Sequence, residues 1–309
     1  MSGFVTYIMR RLIAALVTLL GVVAILVLLV QALPGDPARV IAGLQATPQQ
    51  VTRIRHSMGL DQPVTTQFWR YLDHLLHGNL GTSARTGDPV WSDISQRLPY
   101  TIELAILGTV FGVVFGIALG VLAATHKGRW ADAFGSMIGV AGISMPVYWL
   151  GILLIVLFSV QLKLLPIGGA DSLSSLVLPT VTLGVFSMAV VSRMTRSTML
   201  DTLDQEYVRS VRAKGVAEWV AVGHALRNAF IPILTVIGLQ FGTLLGGAVL
   251  TETVFSWPGI GQLLVTSIQS RDFPVVQGIV LTFAAMFVVV NIITDLLYSV
   301  VDPRVRLYR

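Results

Sequence analysis

The sequence predicts an all-α membrane protein with six transmembrane helices. Of its 309 residues 54% are hydrophobic and 12% are charged, and the mean hydropathy is +0.77, which is too apolar for a soluble domain. The apolar residues form six runs, each long enough to cross a bilayer. Their approximate bounds are Leu12–Leu33, Pro99–Thr125, Phe134–Val160, Leu176–Thr195, Phe230–Leu250 and Pro274–Val301.

Charge and cysteine content narrow the function classes. The net charge is +5, but the basic residues are scattered between apolar runs, which favours membrane orientation over a nucleic-acid partner. The chain has no cysteine, which excludes disulfides, thiolate catalysis and cysteine-ligated metals. Membrane lipid is therefore an expected contact, and nucleic acid is not.

The first apolar run predicts a retained span. It follows Arg10 and Arg11 and is about 22 residues long, whereas the apolar part of a signal peptide has about 7–15 residues. With the N-terminus inside, the two short outer loops hold only Lys163 and Arg271, and both termini are predicted to be cytoplasmic. Thirteen of the 21 basic residues then lie on the inner side: Arg10, Arg11, Lys127, Arg129, Arg193, Arg196, Arg209, Arg212, Lys214, Arg227, Arg304, Arg306 and Arg309.

These spans define four predicted parts of the chain. Residues 1–33 form the cytoplasmic N-terminus and first span, 34–98 an external segment, 99–301 a core of five spans, and 302–309 a cytoplasmic tail. The external segment opens with Pro34-Gly35-Asp36-Pro37, which is predicted to stop the first helix, and continues as short helices. The segment contains six arginines and five aspartates and is therefore nearly neutral, so a strongly charged docking surface is not predicted.

Two groups of ionisable residues are candidates for chemical sites. His74 and His77 would share a helix face, which suits a metal only if a third ligand is supplied, so a solvated pair is favoured. Glu103 and Asp295 lie near the ends of spans two and six rather than at mid-depth, where ion-coupled carriers place such groups. The sequence therefore predicts no metal and no obvious ion-coupling site.

Glycines predict where spans pack closely. Gly108, Gly112, Gly116 and Gly120 recur every four residues in span two, and Gly238, Gly242 and Gly246 repeat the pattern in span five. Such stripes let a neighbouring backbone approach. Ordinary tight packing is the favoured interpretation, and a sliding surface used in gating is the alternative.

A polar stretch, Glu206 to Pro232, separates spans four and five and is too charged for hydrocarbon. Thr202 and Gln205 fit a capping box at a helix start, and Lys214-Gly215 fits a helix end. Apolar residues then continue at helical spacing until Pro232, where span five is expected to begin. Two short surface helices meeting at a glycine are predicted.

The chain has no phosphate-binding loop, HExxH motif or GxSxG motif. No catalytic residue and no cofactor site are predicted, so the chain is not expected to be an enzyme. If its transport is active, the energy must come from another subunit, and the polar stretch is the expected contact.

Several motifs resemble those of bacterial ABC importer permeases of the dipeptide, oligopeptide, nickel and glutathione type, in particular the first of their two permease subunits. The resemblance is carried by Tyr207-Val208-Arg209, Arg212-Ala213-Lys214-Gly215, His224-Ala225-Leu226-Arg227-Asn228-Ala229 and Pro232. Where the general motif has Glu-Ala-Ala, this chain has Arg209-Ser210-Val211, as is typical of the peptide branch. Further motifs in the same order are Leu33-Pro34-Gly35-Asp36-Pro37, Leu60-Asp61-Gln62-Pro63, Trp257-Pro258-Gly259-Ile260-Gly261, Arg271-Asp272-Phe273-Pro274 and Asp302-Pro303.

The resemblance implies a type I ABC importer permease fold in a bacterial cytoplasmic (inner) membrane. It implies a second homologous permease subunit, two ATPase subunits that bind ATP and Mg, and an external solute-binding protein. It places a coupling loop at about 196–229, with ATPase-coupling residues Arg209, Arg212, Ala213, Lys214, Gly215, Val216, Glu218 and Trp219.

Within that loop, Arg212 and Lys214 are expected to pair with acidic residues of an ATPase subunit or to form a solvated face. Trp219 is expected to anchor the contact, and Gly215 to permit the chain reversal. Peptides are the expected substrate, and glutathione or a nickel chelate is the alternative. The rival class is a secondary transporter that needs no nucleotide.

Overall fold

The structure, a computed structural model, describes residues 2–32, 37–43 and 46–301. Within these ranges the chain is helical and has no β-strand; Thr82 and Pro89 form one isolated bridge. The α-helices are α1 (Ser2–Ala32), α2 (Pro37–Ala42), α3 (Pro48–Met58), α4 (Val64–Leu76), α5 (Val90–Thr125), α6 (Trp130–Ser144), α7 (Val147–Leu154), α8 (Val177–Leu203), α9 (Glu206–Ala213), α10 (Glu218–Val254), α11 (Ile260–Gln269) and α12 (Phe273–Val301).

Two predicted features lie outside the described residues. These are the helix stop, of which residues 33–36 are not described, and the tail at 302–309. The side chain of Asp295 also lies outside them.

The prediction of six spans is confirmed, and its third member proves to be bent. In the described part of the chain, five helices are long and apolar enough to cross a membrane. The sixth is counted when α6 and α7 with its π-helical extension Ile155–Gln161 are taken together as one span; they meet at an angle of 107°. Met145 at the bend is extended, with φ −84° and ψ 127°, because the proline that follows it disfavours helical backbone.

The described residues form two compact units. Unit 1 contains the chain up to Tyr100 together with Gly259–Val289, and unit 2 contains Thr101–Pro258 with the chain from Val290 onward. The core of unit 1 joins the first turns of α5, α11 and α12 through Val90, Ile94, Ile260, Val275 and Ile279, all buried.

Polar contacts also hold unit 1 together. Asp272, which is buried, accepts hydrogen bonds from Ser83 Oγ at 2.5 Å and from the backbone N–H of Ala84 at 3.0 Å and of Arg85 at 3.4 Å. Ordinary packing alone would leave this carboxylate unsatisfied, because a buried charge needs partners. The loop after α4 is thereby fixed to the start of α12.

In unit 2, α8 packs against α6, α7 and α10. The glycine stripe of α5 packs closely against a neighbouring helix, as predicted, and that helix is α8: an added Cβ at Gly112 would lie 2.6 Å from Ser187 Cβ, and one at Gly120 would lie 2.5 Å from Thr195 Cβ. Side chains at these positions would force the two helices apart.

The second predicted stripe does not form a continuous groove. Gly238 is in close contact with Thr294, but an added Cβ at Gly246 would meet nothing within 4 Å. Within the described part of the chain, close packing in this stripe is therefore seen at Gly238 and not at Gly246.

Candidate functional site

The candidate site is the polar stretch between α8 and α10, residues 204–219, which we call the knob. It stands on an apolar core formed by α8, α9 and the first turns of α10. Val208 is the buried residue of α9 and packs there with Ala221, Ala225 and Ala229 of α10. These alanines recur at four-residue spacing, so one small-residue face of α10 lies against its neighbours.

The helix start in the knob differs from the predicted capping box. Helix α8 continues to Leu203, and Thr202 Oγ1 donates to the backbone O of Thr198 at 2.6 Å. Gln205 is the N-cap of α9 and makes no side-chain capping bond. The capping-box prediction is wrong because the Thr202 hydroxyl is used inside the preceding helix, as threonine hydroxyls often are.

The predicted helix end at Lys214-Gly215 is confirmed. Lys214 caps α9, and Gly215 has φ +75°, in the left-handed region that glycine reaches without a Cβ penalty. The Gly215 N–H donates to the Arg212 O at 3.0 Å. An added Cβ at Gly215 would meet nothing within 4 Å, so the glycine is required by backbone conformation and not by space.

An ion pair spans this turn. Arg212 donates from Nη2 to Glu218 Oε1 at 2.6 Å and from Nε to Oε2 at 3.2 Å. The bond to Glu218 raises the pKa of the Arg212 guanidinium, which keeps it charged. Because both bonds form between one guanidinium and one carboxylate, the pair fixes the relative direction of the end of α9 and the start of α10.

The second predicted surface helix is not separate from span five. Helix α10 runs without a break from Glu218 through Pro232 to Val254. Proline in a helix interior removes a backbone hydrogen bond and crowds the preceding turn. Here the buried face through Ala225, Ala229 and Ile233 continues across the proline, so tertiary packing holds the helix together despite that cost.

The structure brings together all eight residues predicted to form the coupling site. Each is exposed, and they occupy the end of α9, the Gly215 turn and the first residues of α10: Arg209, Arg212, Ala213, Lys214, Gly215, Val216, Glu218 and Trp219. Trp219 is 78% exposed and Val216 39% exposed. A large aromatic side chain in water beside cationic groups is typical of a protein-binding surface rather than of a reaction centre.

Sequence reasoning missed the ion pair at the base of this region. Arg196 of α8 donates to Asp132 of α6 through Nε at 2.5 Å and Nη2 at 2.9 Å, and the Gly128 N–H donates to the same carboxylate at 3.0 Å. The pair holds the turn before α6 to α8. Because the partners are 64 residues apart, only their opposite charges hinted at it in the sequence.

It also missed a buried carboxylate near the end of α10. Glu252 near the end of α10 is fully buried and accepts a hydrogen bond from Thr101 Oγ1 at 2.7 Å. Glu103, which the sequence did single out, is exposed on the surface of the chain. The signal for Glu252 was its place as an acidic residue at the end of an apolar run.

The two candidate metal ligands, His74 and His77, have different surroundings. His77 Nδ1 is hydrogen-bonded to the backbone O of Asp73 at 2.8 Å, whereas His74 lines a cavity in unit 1. No group of three or more metal-ligating side chains occurs in the ranges that the structure describes.

Comparisons with known proteins agree on one family. Residues 116–307 match the family described as binding-protein-dependent transport system inner membrane component, and residues 4–105 match its N-terminal component. The glutathione transport system permease protein GsiC of Salmonella typhimurium strain LT2 is 46% identical over 301 residues, which is 97% of this chain and 98% of the relative. GsiC of Escherichia coli K12 is 45% identical over the same coverage.

Solved structures agree with the fold. The inward-facing MetNI methionine ABC transporter aligns with a TM-score of 0.58 at 19% identity and covers 68% of this chain and 96% of that chain. An amino acid ABC transporter crystallised with histidines aligns with a TM-score of 0.51 at 17% identity and covers 76% and 98%. At these identities the likeness concerns the fold alone.

Proposed function

This chain belongs to the family of binding-protein-dependent transport system inner membrane components, and we propose that it carries small peptides, with glutathione as the first candidate. It is a multi-pass inner-membrane permease of an ABC importer and not itself an enzyme. It therefore works with ATPase and solute-binding partners. The substrate proposal is supported by the relatives, which are glutathione permeases; glutathione is itself a tripeptide.

The observation that carries the functional proposal is the knob. Its eight exposed residues stand on a buried core shared by α8, α9 and α10. A displacement of the knob would therefore be transmitted directly to the two long apolar helices α8 and α10. We infer that the knob docks in a groove of an ATPase subunit and moves as a rigid body when the ATPase dimer closes.

The ion pair changes the role proposed for Arg212. Its guanidinium is engaged by Glu218 within the chain, so its first task is to shape the knob. Lys214 and Arg209 are the exposed cations proposed to face acidic residues of the ATPase, and Trp219 is the proposed anchor. A charge on the rim of such a contact acts mainly on the association rate.

The remaining assembly is proposed from the family. A second, homologous permease would complete the transport path, two ATPase subunits would lie beneath, and the solute-binding protein would dock on the opposite side of the membrane. The knob and both termini would then be cytoplasmic. The distribution of basic residues supports this orientation.

Transport by reconstituted vesicles tests the proposal. Vesicles that hold this permease, its partner permease and the ATPase subunits should accumulate glutathione only when ATP and the solute-binding protein are present. The permease alone should accumulate nothing. Accumulation that needs an ion gradient but no ATP would contradict the proposal and favour the secondary-transporter alternative.

Competition separates the substrates. Unlabelled dipeptides, longer peptides and a nickel chelate are added in excess during ATP-driven glutathione uptake. We expect peptides to compete and the nickel chelate not to. Uptake of a nickel chelate with no uptake of any peptide would overturn the substrate proposal while leaving the permease assignment intact.

A further inference from the structure

We propose that the turn between α5 and α6 binds the headgroup of an anionic phospholipid, whose acyl chains lie along the exposed face of α6. Residues 126–129 form this turn and include Lys127 and Arg129. Both side chains are exposed, and neither has an ion-pair partner in the described part of the chain. Basic residues at the end of an apolar span attract anionic headgroups.

The acidic group beside this turn is already engaged. Asp132 is the only acidic residue of the turn and α6. It accepts two hydrogen bonds from Arg196 of α8 and one from the Gly128 N–H. Arg193, one turn before Arg196 on α8, is also exposed. The positive charge of the turn is therefore not compensated by the elements packed around it, which favours an anion.

The turn has a fixed shape that a ligand can meet without rearranging it. Gly128 has φ +74°, and its N–H is bonded to Asp132 at 3.0 Å. The Arg129 N–H donates to the His126 O at 3.0 Å. Arg129 is the N-cap of α6 and makes no side-chain capping bond, so the positive end of the helix dipole adds to the attraction for an anion.

The residues that follow the turn have the polarity order of one bilayer leaflet. Trp130 is 78% exposed, Phe134 47%, Met137 61% and Val140 65%, and their spacing places them on one face of α6. From Trp130 to Val140 this face is about 15 Å long, half of the roughly 30 Å hydrocarbon core. Cations, then an indole, then apolar side chains match the headgroups, the interface and the acyl chains.

The size of the side chains on this face favours lipid over another helix. Close helix contacts in membranes use small residues, and α6 has them on its protein-facing side. An added Cβ at Gly142 would lie 2.8 Å from Ala189 Cβ, and one at Gly135 would lie 3.2 Å from Ala123 Cβ. The exposed face instead carries bulky side chains, which pack well against flexible acyl chains.

Tail-brominated lipids test the inference in the assembled transporter. The complex is placed in phosphatidylcholine nanodiscs with increasing fractions of brominated phosphatidylglycerol or brominated phosphatidylcholine, and tryptophan fluorescence is measured. The fraction that half-quenches Trp130 should be at least about tenfold lower for phosphatidylglycerol, because each cation near an anionic headgroup favours it by about fivefold. Equal fractions for the two lipids would overturn the proposal.

A matched pair of tryptophan variants identifies the quenched side chain. Trp130→Phe should remove the component that brominated phosphatidylglycerol quenches. Trp219→Phe removes an equally exposed indole, 78% exposed, from the knob and should leave that component unchanged. If the quenching of Trp130→Phe equals that of the wild type, lipid does not reach this face in the complex, a protein subunit covers it, and the inference is wrong.

Charge variants separate a site from the net charge of the complex. Lys127→Gln combined with Arg129→Gln should raise the half-quenching fraction of phosphatidylglycerol roughly ten- to thirtyfold, toward that of phosphatidylcholine. The control, Lys163→Gln combined with Arg271→Gln, removes the same charge from exposed residues of the two predicted outer loops and should change nothing. An equal effect of the two double variants would show that net charge alone attracts the lipid, and would reject the site.

Discussion

The knob and the segment between α1 and α5 are both polar interruptions of an apolar chain, yet they are held in opposite ways. The knob turns on Gly215 and is closed by an ion pair between residues six positions apart. The α1–α5 segment is fixed by Asp272, which is 189 positions from its partner Ser83. The projecting surface is therefore built from local sequence, whereas the α1–α5 segment depends on a residue that is distant in the chain.

The largest effect is expected when Asp272, the hydrogen-bond acceptor that is distant in sequence from the loop it holds, is replaced. Asp272→Ala deletes the acceptor of three hydrogen bonds in a buried place, at a cost of about 3 kcal/mol to the closed loop. Since opening of the loop exposes the peptide bond after Arg85, trypsin should cut there at least about tenfold faster.

The control for this cut is Asp88→Ala. It removes an exposed carboxylate of the same loop and should leave the cleavage rate near that of the wild type. If Asp272→Ala is cut no faster than this control, the loop is held by its apolar contacts, and the hydrogen bonds of Asp272 do not contribute to keeping it closed.

The turn of the knob gives the next largest effect. Gly215→Ala places a Cβ in open space but forces an L-residue to φ +75°, at a cost of about 1–2 kcal/mol. ATP-driven uptake should fall by roughly five- to thirtyfold, while membrane insertion, measured by the yield of folded protein, stays unchanged.

Gly223→Ala is the matched control. Its Cβ would also meet nothing within 4 Å, but the residue lies inside α10 with no left-handed backbone, so alanine should be tolerated or slightly favourable. Gly215→Asn should recover part of the activity, because asparagine adopts the left-handed region more readily than alanine. Equal loss in the two alanine variants would show that backbone conformation is not what matters at the turn.

The same contrast explains what the sequence predicts. Six apolar runs and the Lys214-Gly215 helix end are local signals, and both predictions are confirmed. Glu252 accepts a hydrogen bond from Thr101, 151 positions away, and no local pattern contains that information. Distance along the chain explains why the contacts of Glu252 and of Arg196 with Asp132 were missed.

Pro232 shows the other way in which sequence reasoning fails. Proline is a reliable local signal for a helix boundary, but α10 passes through it. The buried face that packs at the base of the knob, with alanines before the proline, continues past it to Ile233. Packing over several turns outweighs one lost hydrogen bond, and only the folded neighbours reveal that balance.

The smallest effect is expected at the ion pair, because both side chains are substantially exposed, 40% for Arg212 and 63% for Glu218, and exposed pairs contribute little. Arg212→Gln and Glu218→Gln should each lower uptake by about two- to fivefold. The informative measurement is uptake by the double variant, in which both residues are replaced. If the pair acts only to shape the turn, the double variant should be no worse than either single one.

The alternative gives a different pattern. If Arg212 instead contacts an acidic residue of the ATPase, Arg212→Gln should be damaging, whereas Glu218→Gln should be neutral or beneficial because it releases the guanidinium. Lys214→Gln is the reference, since Lys214 carries an outward charge beside the turn and should change the salt dependence of uptake. Uptake by these variants at low and high salt therefore decides between two roles of Arg212: holding the shape of the knob through Glu218, or binding an acidic residue of the ATPase.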